Sequence, residues 1–149
     1  MFKIEKFIYD LNPRKGMKEL KPGMKHELTV EVTPDMTASK FVKGTPNVFA
    51  TAAMVALIEQ TCKDMTQPYL ERGQTTVGTR INASHIAATP VGMRVTARAE
   101  LIEIDRRRLE FRVEVFDEVE KISDAEHTRF IINIARFEEK TMKKLERVR

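Results

Sequence analysis

From Met24 to Thr33 apolar and polar positions alternate, with Leu28, Val30 and Val32 on one parity and Glu27, Thr29 and Glu31 on the other. A period of two predicts a strand with one face on a core. The pattern then changes at Val48, where Val48, Phe49, Ala50, Thr51, Ala52, Ala53, Met54, Val55, Ala56, Leu57 and Ile58 run almost without a polar group up to Glu59. Thr45-Pro46-Asn47 ahead of this run supplies capping side chains and a proline tolerated in a first turn, while Pro68 cannot continue a helix. The spacing predicts one long helix from about residue 45 to Gln67, preceded by a polar loop from Pro34 to Gly44. Beyond Gly73 strand character takes over. Thr75–Thr89, Met93–Ile104, Leu109–Val115 and Ile122–Phe137 read as strands, separated by turns at Pro90-Val91-Gly92, Asp105-Arg106-Arg107 and Asp117–Lys121.

Only one element has helical period, so its apolar surface must be covered by the sheet that follows. The expected fold is α+β: a curved antiparallel sheet wrapped around one long central helix, the hotdog arrangement. Residues 1–20 read as an N-terminal extension with a turn at Asn12, Pro13 and Gly16; residues 21–137 are the folded domain; residues 138–149 are a charged tail expected to fray. An open sheet leaves edge strands, which favours pairing with a second copy, so a homodimer is expected.

Three residues of the core elements carry candidate chemistry. A helix apolar on every side is normally enclosed, so Glu59 at the end of such a run is expected to be partly desolvated, which disfavours its ionised form and makes it a stronger base or nucleophile. Glu59 also sits four residues before Lys63, the order of a surface ion pair. Thr51 is the other polar group of the run, eight residues earlier, roughly 12 Å along a helix axis and too far to bond Glu59 directly; its bland alternative is a hydroxyl bonded back to its own helix. His85 shares strand parity with Ile81, Ala83 and Ala87, so in a regular strand its imidazole points at the helix, either for proton transfer or as a core histidine bonded to a carbonyl.

Composition and charge narrow the function classes. A hydrophobic fraction of 42% beside 32% charged residues fits a soluble globule of 149 residues. The net charge of +4 gathers at the ends, with seven Lys/Arg against three Asp/Glu in residues 1–25 and six against three in residues 136–149. With no tryptophan and no basic stripe interleaved with aromatics, nucleic-acid binding is not expected. A single cysteine, Cys62, forms no internal disulfide and has no visible nucleophilic partner; His26 and His127 lack ligand spacing, so no metal is expected. No apolar run is long enough for a bilayer, and Lys3, Glu5, Lys6 and Asp10 break up a secretory core, making the cytoplasm the expected location with no membrane partner.

From about Lys21 to Phe137 the chain resembles the fluoroacetyl-CoA thioesterase group of hotdog enzymes, through "NVFATAAMVALIEQTC", "PYLERG", "VGTRINASHIAATPVGMRVTARAEL" and "EHTRFIINIARF". The resemblance implies an acyl-CoA thioesterase with catalytic Thr51, Glu59 and His85, and with Gly78 and Arg129 at the substrate. On their own, Gly78 reads equally as a strand bulge and Arg129 as a side chain reaching for solvent. No cofactor is implied beyond the coenzyme A of the substrate. The fluoroacetate-specific enzyme carries a phenylalanine pair ahead of the helix; the matching positions here hold Val42 and Thr45, with Phe41 nearby, so the fluorinated substrate is not implied. Rival functions in the same fold are an acyl-CoA hydratase or dehydratase and an acyl-CoA-binding module without turnover.

Overall fold

The computed structural model describes residues 19–149. The extension and the turn expected at Asn12, Pro13 and Gly16 lie largely outside the described residues. The elements run β1 (Lys25–Glu31), a short α1 (Ala38–Phe41), the long α2 (Thr51–Thr66), then β2 (Gln74–Ala83), β3 (Arg94–Asp105), β4 (Arg108–Asp117), β5 (Lys121–Asn133) and α3 (Ile134–Glu146). All strand pairs are antiparallel and the sheet order is β1-β3-β4-β5-β2. This is the α+β hotdog fold, with α2 and the 3-10 turn after it packed against a curled sheet.

The core forms where the inward parity of each strand meets α2. Met54, Ile58 and Cys62 are fully buried against Val95, Ala97 and Leu101 of β3 and Val113 and Val115 of β4. The alanines at the centre of β3 leave room for the helix backbone to approach the sheet. One side of α2 stays open, however: Thr51, Ala52 and Ala56 are exposed, so the apolar run is not enclosed all round within one chain. Among the described residues no helix is long and apolar enough to cross a membrane.

Two boundaries differ from those the pattern predicts. The long helix starts at Thr51 instead of near Thr45, because the backbone of the preceding residues is engaged elsewhere. Phe49 N–H donates to the Thr89 carbonyl at 2.8 Å, Ala50 N–H to Met36 at 2.8 Å, and the Val48 carbonyl accepts from Ala38 at 2.8 Å. Those bonds hold Val48–Ala50 extended, and tertiary pairing overrides capping propensity. At the other end, β5 stops at Asn133, short of Phe137, and the residues expected to fray continue as α3. Asn133 Oδ1 accepts from Arg136 N–H at 3.0 Å, a side-chain cap that starts the helix.

Candidate active site

Thr51 is the first residue of α2, so it has no preceding turn to bond back to. Its hydroxyl instead meets His85 Nδ1 at 2.8 Å. His85 lies two residues beyond β2, but the chain keeps its pairing there: Ser84 N–H donates to Asp124 and Ile86 N–H to Ile122, at 3.0 and 2.9 Å. The alternation expected of Ile81, Ala83, His85 and Ala87 therefore holds, and all four face inward from exposed neighbours. Phe49 sets an edge against the imidazole, with ring centroids 6.4 Å apart. His85 Nε2 is buried and has no hydrogen-bond partner among the described residues. Burial lowers the imidazole pKa below the ordinary 6.5, so the ring stays neutral further into acid.

The second cluster centres on Arg129, which is 5% exposed. Its Nε donates to Thr76 Oγ1 at 2.8 Å, Nη2 to the Thr76 carbonyl at 2.7 Å, and Nη1 to Glu59 Oε2 at 3.1 Å. Nη1 also lies 3.2 Å from His127 Nε2. His127 Nδ1 is 2.8 Å from the Arg80 carbonyl and so carries the ring proton, leaving Nε2 to accept from the guanidinium. Burial pushes the His127 pKa down, in keeping with that neutral ring. Arg129 is thus a clamped inward-facing group, and the alternative of a side chain reaching for solvent does not apply.

Glu59 is less enclosed than its run implies. Its side chain is 44% exposed, and its nearest charged neighbour is a guanidinium where an apolar wall was expected. The surface pair with Lys63 does not form; Lys63 lies 3.6 Å from Asp64 instead. Cys62, the next inward residue but two, is sealed in the core, and burial pushes its thiol up to about 12, which leaves it unreactive.

Gly78 connects the two clusters. The β2–β5 register shifts between Gly78 and Arg80, a bulge that places two β2 residues against one on β5. Without that extra residue, the even parity of Thr76 and Gly78 and the odd parity of His85 would fall on opposite faces of the sheet. The bulge brings both to the helix side. A Cβ at position 78 would sit 3.0 Å from Glu59 Oε2, 3.1 Å from His127 Cε1 and 3.3 Å from Arg129 Nη1, so any side chain there would push the carboxylate and guanidinium aside. The expected bulge is therefore present, and Gly78 lies directly against Glu59, His127 and Arg129.

All five residues therefore lie along α2 and the inner face of β2 and β5, but as two pairs. Thr51 bonds His85, and Glu59 bonds Arg129, with no hydrogen bond between the pairs among the described residues. His127 was not among the sequence candidates. Its inward parity with Arg129, two residues on, was the signal available. Phe41 and Val42, near the expected position of the phenylalanine pair, are 54% and 60% exposed.

Comparison with known proteins bears on this arrangement. A family model described as the fluoroacetyl-CoA-specific thioesterase FlK matches residues 32–135. The fluoroacetyl-CoA thioesterase of Streptantibioticus cattleyicolor is 43% identical over 99 residues, covering 66% of this chain and 71% of that protein. A solved phenylalanine-to-alanine variant of the fluoroacetyl-CoA-specific thioesterase superposes with a TM-score of 0.83 at 35% identity, over 85% of this chain and 98% of the other. A threonine-to-serine variant in complex with acetyl-CoA superposes with a TM-score of 0.79 at 35% identity, over 84% and 98%.

Proposed function

This chain belongs to the fluoroacetyl-CoA-specific thioesterase family and is an acyl-CoA thioester hydrolase, and we propose that it cleaves a small acyl-CoA with Glu59, His85 and Thr51 as its catalytic groups. Glu59 either deprotonates a water that attacks the thioester carbon or attacks that carbon itself to give a mixed anhydride that water then hydrolyses; the carbon–sulfur bond breaks, and the thiolate takes up the proton that the water releases and leaves as coenzyme A. His85 relays that proton. With Thr51 donating to Nδ1, the ring proton sits on Nε2, a donor for the leaving sulfur or the thioester oxygen. The observation that supports this most is the buried Nε2, without a partner among the described residues, beside the Thr51 bond, since a buried polar atom left unmet costs about 1–3 kcal/mol and is retained where a reacting group meets it. Arg129 and Gly78 position the carboxylate, and the exposed Phe41 and Val42 give no grounds for fluoroacetyl selectivity.

The test is thiol release from a panel of acyl-CoAs, with hydration of an enoyl-CoA followed in parallel. Release is expected from short acyl groups, with an acid limb that falls below pH 6.5, because a neutral His85 is the working form and burial lowers its pKa. Hydration without thiol release, or CoA binding with neither, would transfer the site to one of the rival functions.

The working assembly we propose is a homodimer. Thr51 and Glu59 lie eight residues apart on α2, about 12 Å along its axis, too far for one thioester carbon to meet both pairs of a single chain. Among the described residues the 10-residue β2 is an edge strand of the sheet, and Thr51, Ala52 and Ala56 of α2 are exposed. Two copies packed antiparallel over this edge invert the order of the pairs, so that Glu59 of one copy and the Thr51–His85 pair of the other border one cleft. Mixing Glu59→Gln protein with His85→Ala protein should then restore a substantial fraction of the wild-type rate. A mixture as inactive as its components, or a monomer in sedimentation, would refute the shared cleft.

A further inference from the structure

A groove of about 420 Å³ opens where the start of β2, the end of β5 and the first turns of α3 meet. Arg72, Arg107, Arg136 and Lys140 line it, against a single carboxylate, Glu71. None of the four cations makes an ion pair with an acid among the described residues. Four cations around one carboxylate leave the groove with an excess of positive charge, and an anion in the groove relieves the repulsion among them. The walls are fixed: Ile134 N–H donates to the Gly73 carbonyl at 2.9 Å, Gln74 N–H to Glu71 at 3.0 Å, and Ile131 N–H to Arg107 at 2.9 Å. Between the cations, the Phe137 ring is 44% exposed beside Ile131 and Ile132. A row of cations next to an exposed aromatic face has the chemistry of a phosphorylated nucleotide site, with phosphates on the guanidinium groups and a base on the ring.

The groove is built on the same two strands as the catalytic cluster. Arg129 and Asn133 are four residues apart on β5, roughly 13 Å at the rise of a strand, and Gly78 and Gln74 are matched across from them on β2. A thioester held at Glu59 therefore has a cationic groove one extended arm away along the sheet, which is how a thioester and a nucleotide are disposed at opposite ends of an acyl-CoA. We propose that this groove binds the phosphorylated nucleotide end of the acyl-CoA substrate, with Arg72, Arg107, Arg136 and Lys140 on its phosphates and Phe137 beside its base. The assignment rests on the acyl-CoA hydrolase function proposed above.

The test compares CoA with pantetheine, which shares the thiol arm and lacks the nucleotide, by titration calorimetry on the wild type and on Arg72→Ala/Arg136→Ala/Lys140→Ala. The wild type should bind CoA at least roughly tenfold more tightly than pantetheine, by a margin that shrinks with added salt, and the triple variant should lose most of that margin. Because α3 carries two of the substitutions, Arg72→Glu, which lies in a turn outside every helix and strand, should move the margin in the same direction without touching the helix. Equal affinity for CoA and pantetheine on the wild type, or an unchanged margin in both variants, would overturn the site. A margin present in the wild type and lost in both variants, with no thiol release by the wild type, would instead keep the groove and remove the hydrolase function.

Discussion

Glu59→Gln is expected to lower thiol release by at least about a hundredfold while leaving the fold in place. The amide is nearly the shape of the carboxylate, and its oxygen can still accept from Nη1 of Arg129, while Nε and Nη2 keep their bonds to Thr76 and Nη1 its contact with His127. What disappears is the carboxylate oxygen proposed to attack the thioester or to take a proton from water. With the side chain 44% exposed, the loss of charge has little effect on the core. The rate and the melting temperature therefore separate: kcat collapses and Tm stays within a few degrees. Turnover near the wild-type value would show that the carboxylate plays no chemical part.

Arg129→Met is expected to act in the opposite sense, mainly on stability. The guanidinium is 5% exposed and satisfies both oxygens of Thr76, a residue itself 3% exposed. Methionine fills much of the volume but donates nothing, so the Thr76 carbonyl and hydroxyl, and the acceptor nitrogen of His127, are left buried without their donor. Each such group costs about 1–3 kcal/mol, and a total of about 3 kcal/mol would lower the melting temperature of a chain this size by about 10 °C. Urea unfolding should give the same loss at an unchanged slope. A destabilisation under about 1 kcal/mol would mean that the bonds drawn by the buried guanidinium contribute little net energy.

Much of this architecture was legible in the pattern of apolar positions. Strand alternation from β1 to β5 and the single helical run were enough to place α2 on a curled sheet, and the odd parity of Ile81, Ala83, His85 and Ala87 correctly aimed the imidazole inward. The site was legible only in part, for reasons that are local. A capping signal at Thr45–Asn47 competed with backbone bonds from Phe49 and Ala50 to distant residues; those bonds make Thr51 the first helical residue and free its hydroxyl for His85. Periodicity carries no record of such partners. The bulge after Gly78 adds one residue to β2, and no local pattern shows that it brings an even and an odd position to one face. The surroundings of Glu59 were misjudged because its neighbour Arg129 is 70 residues away in the chain. The start of α3 was within reach, since Asn133 is a good helix cap, but the alternation of Phe130, Ile132 and Ile134 runs through it and reads as strand.

The most direct measurement is steady-state thiol release from acetyl-CoA by three purified proteins side by side: wild type, Glu59→Gln and His85→Ala. The carboxylate–imidazole mechanism predicts measurable release by the wild type and a drop of at least about a hundredfold in each variant at near-native melting temperature. Wild-type rates from either folded variant would contradict it.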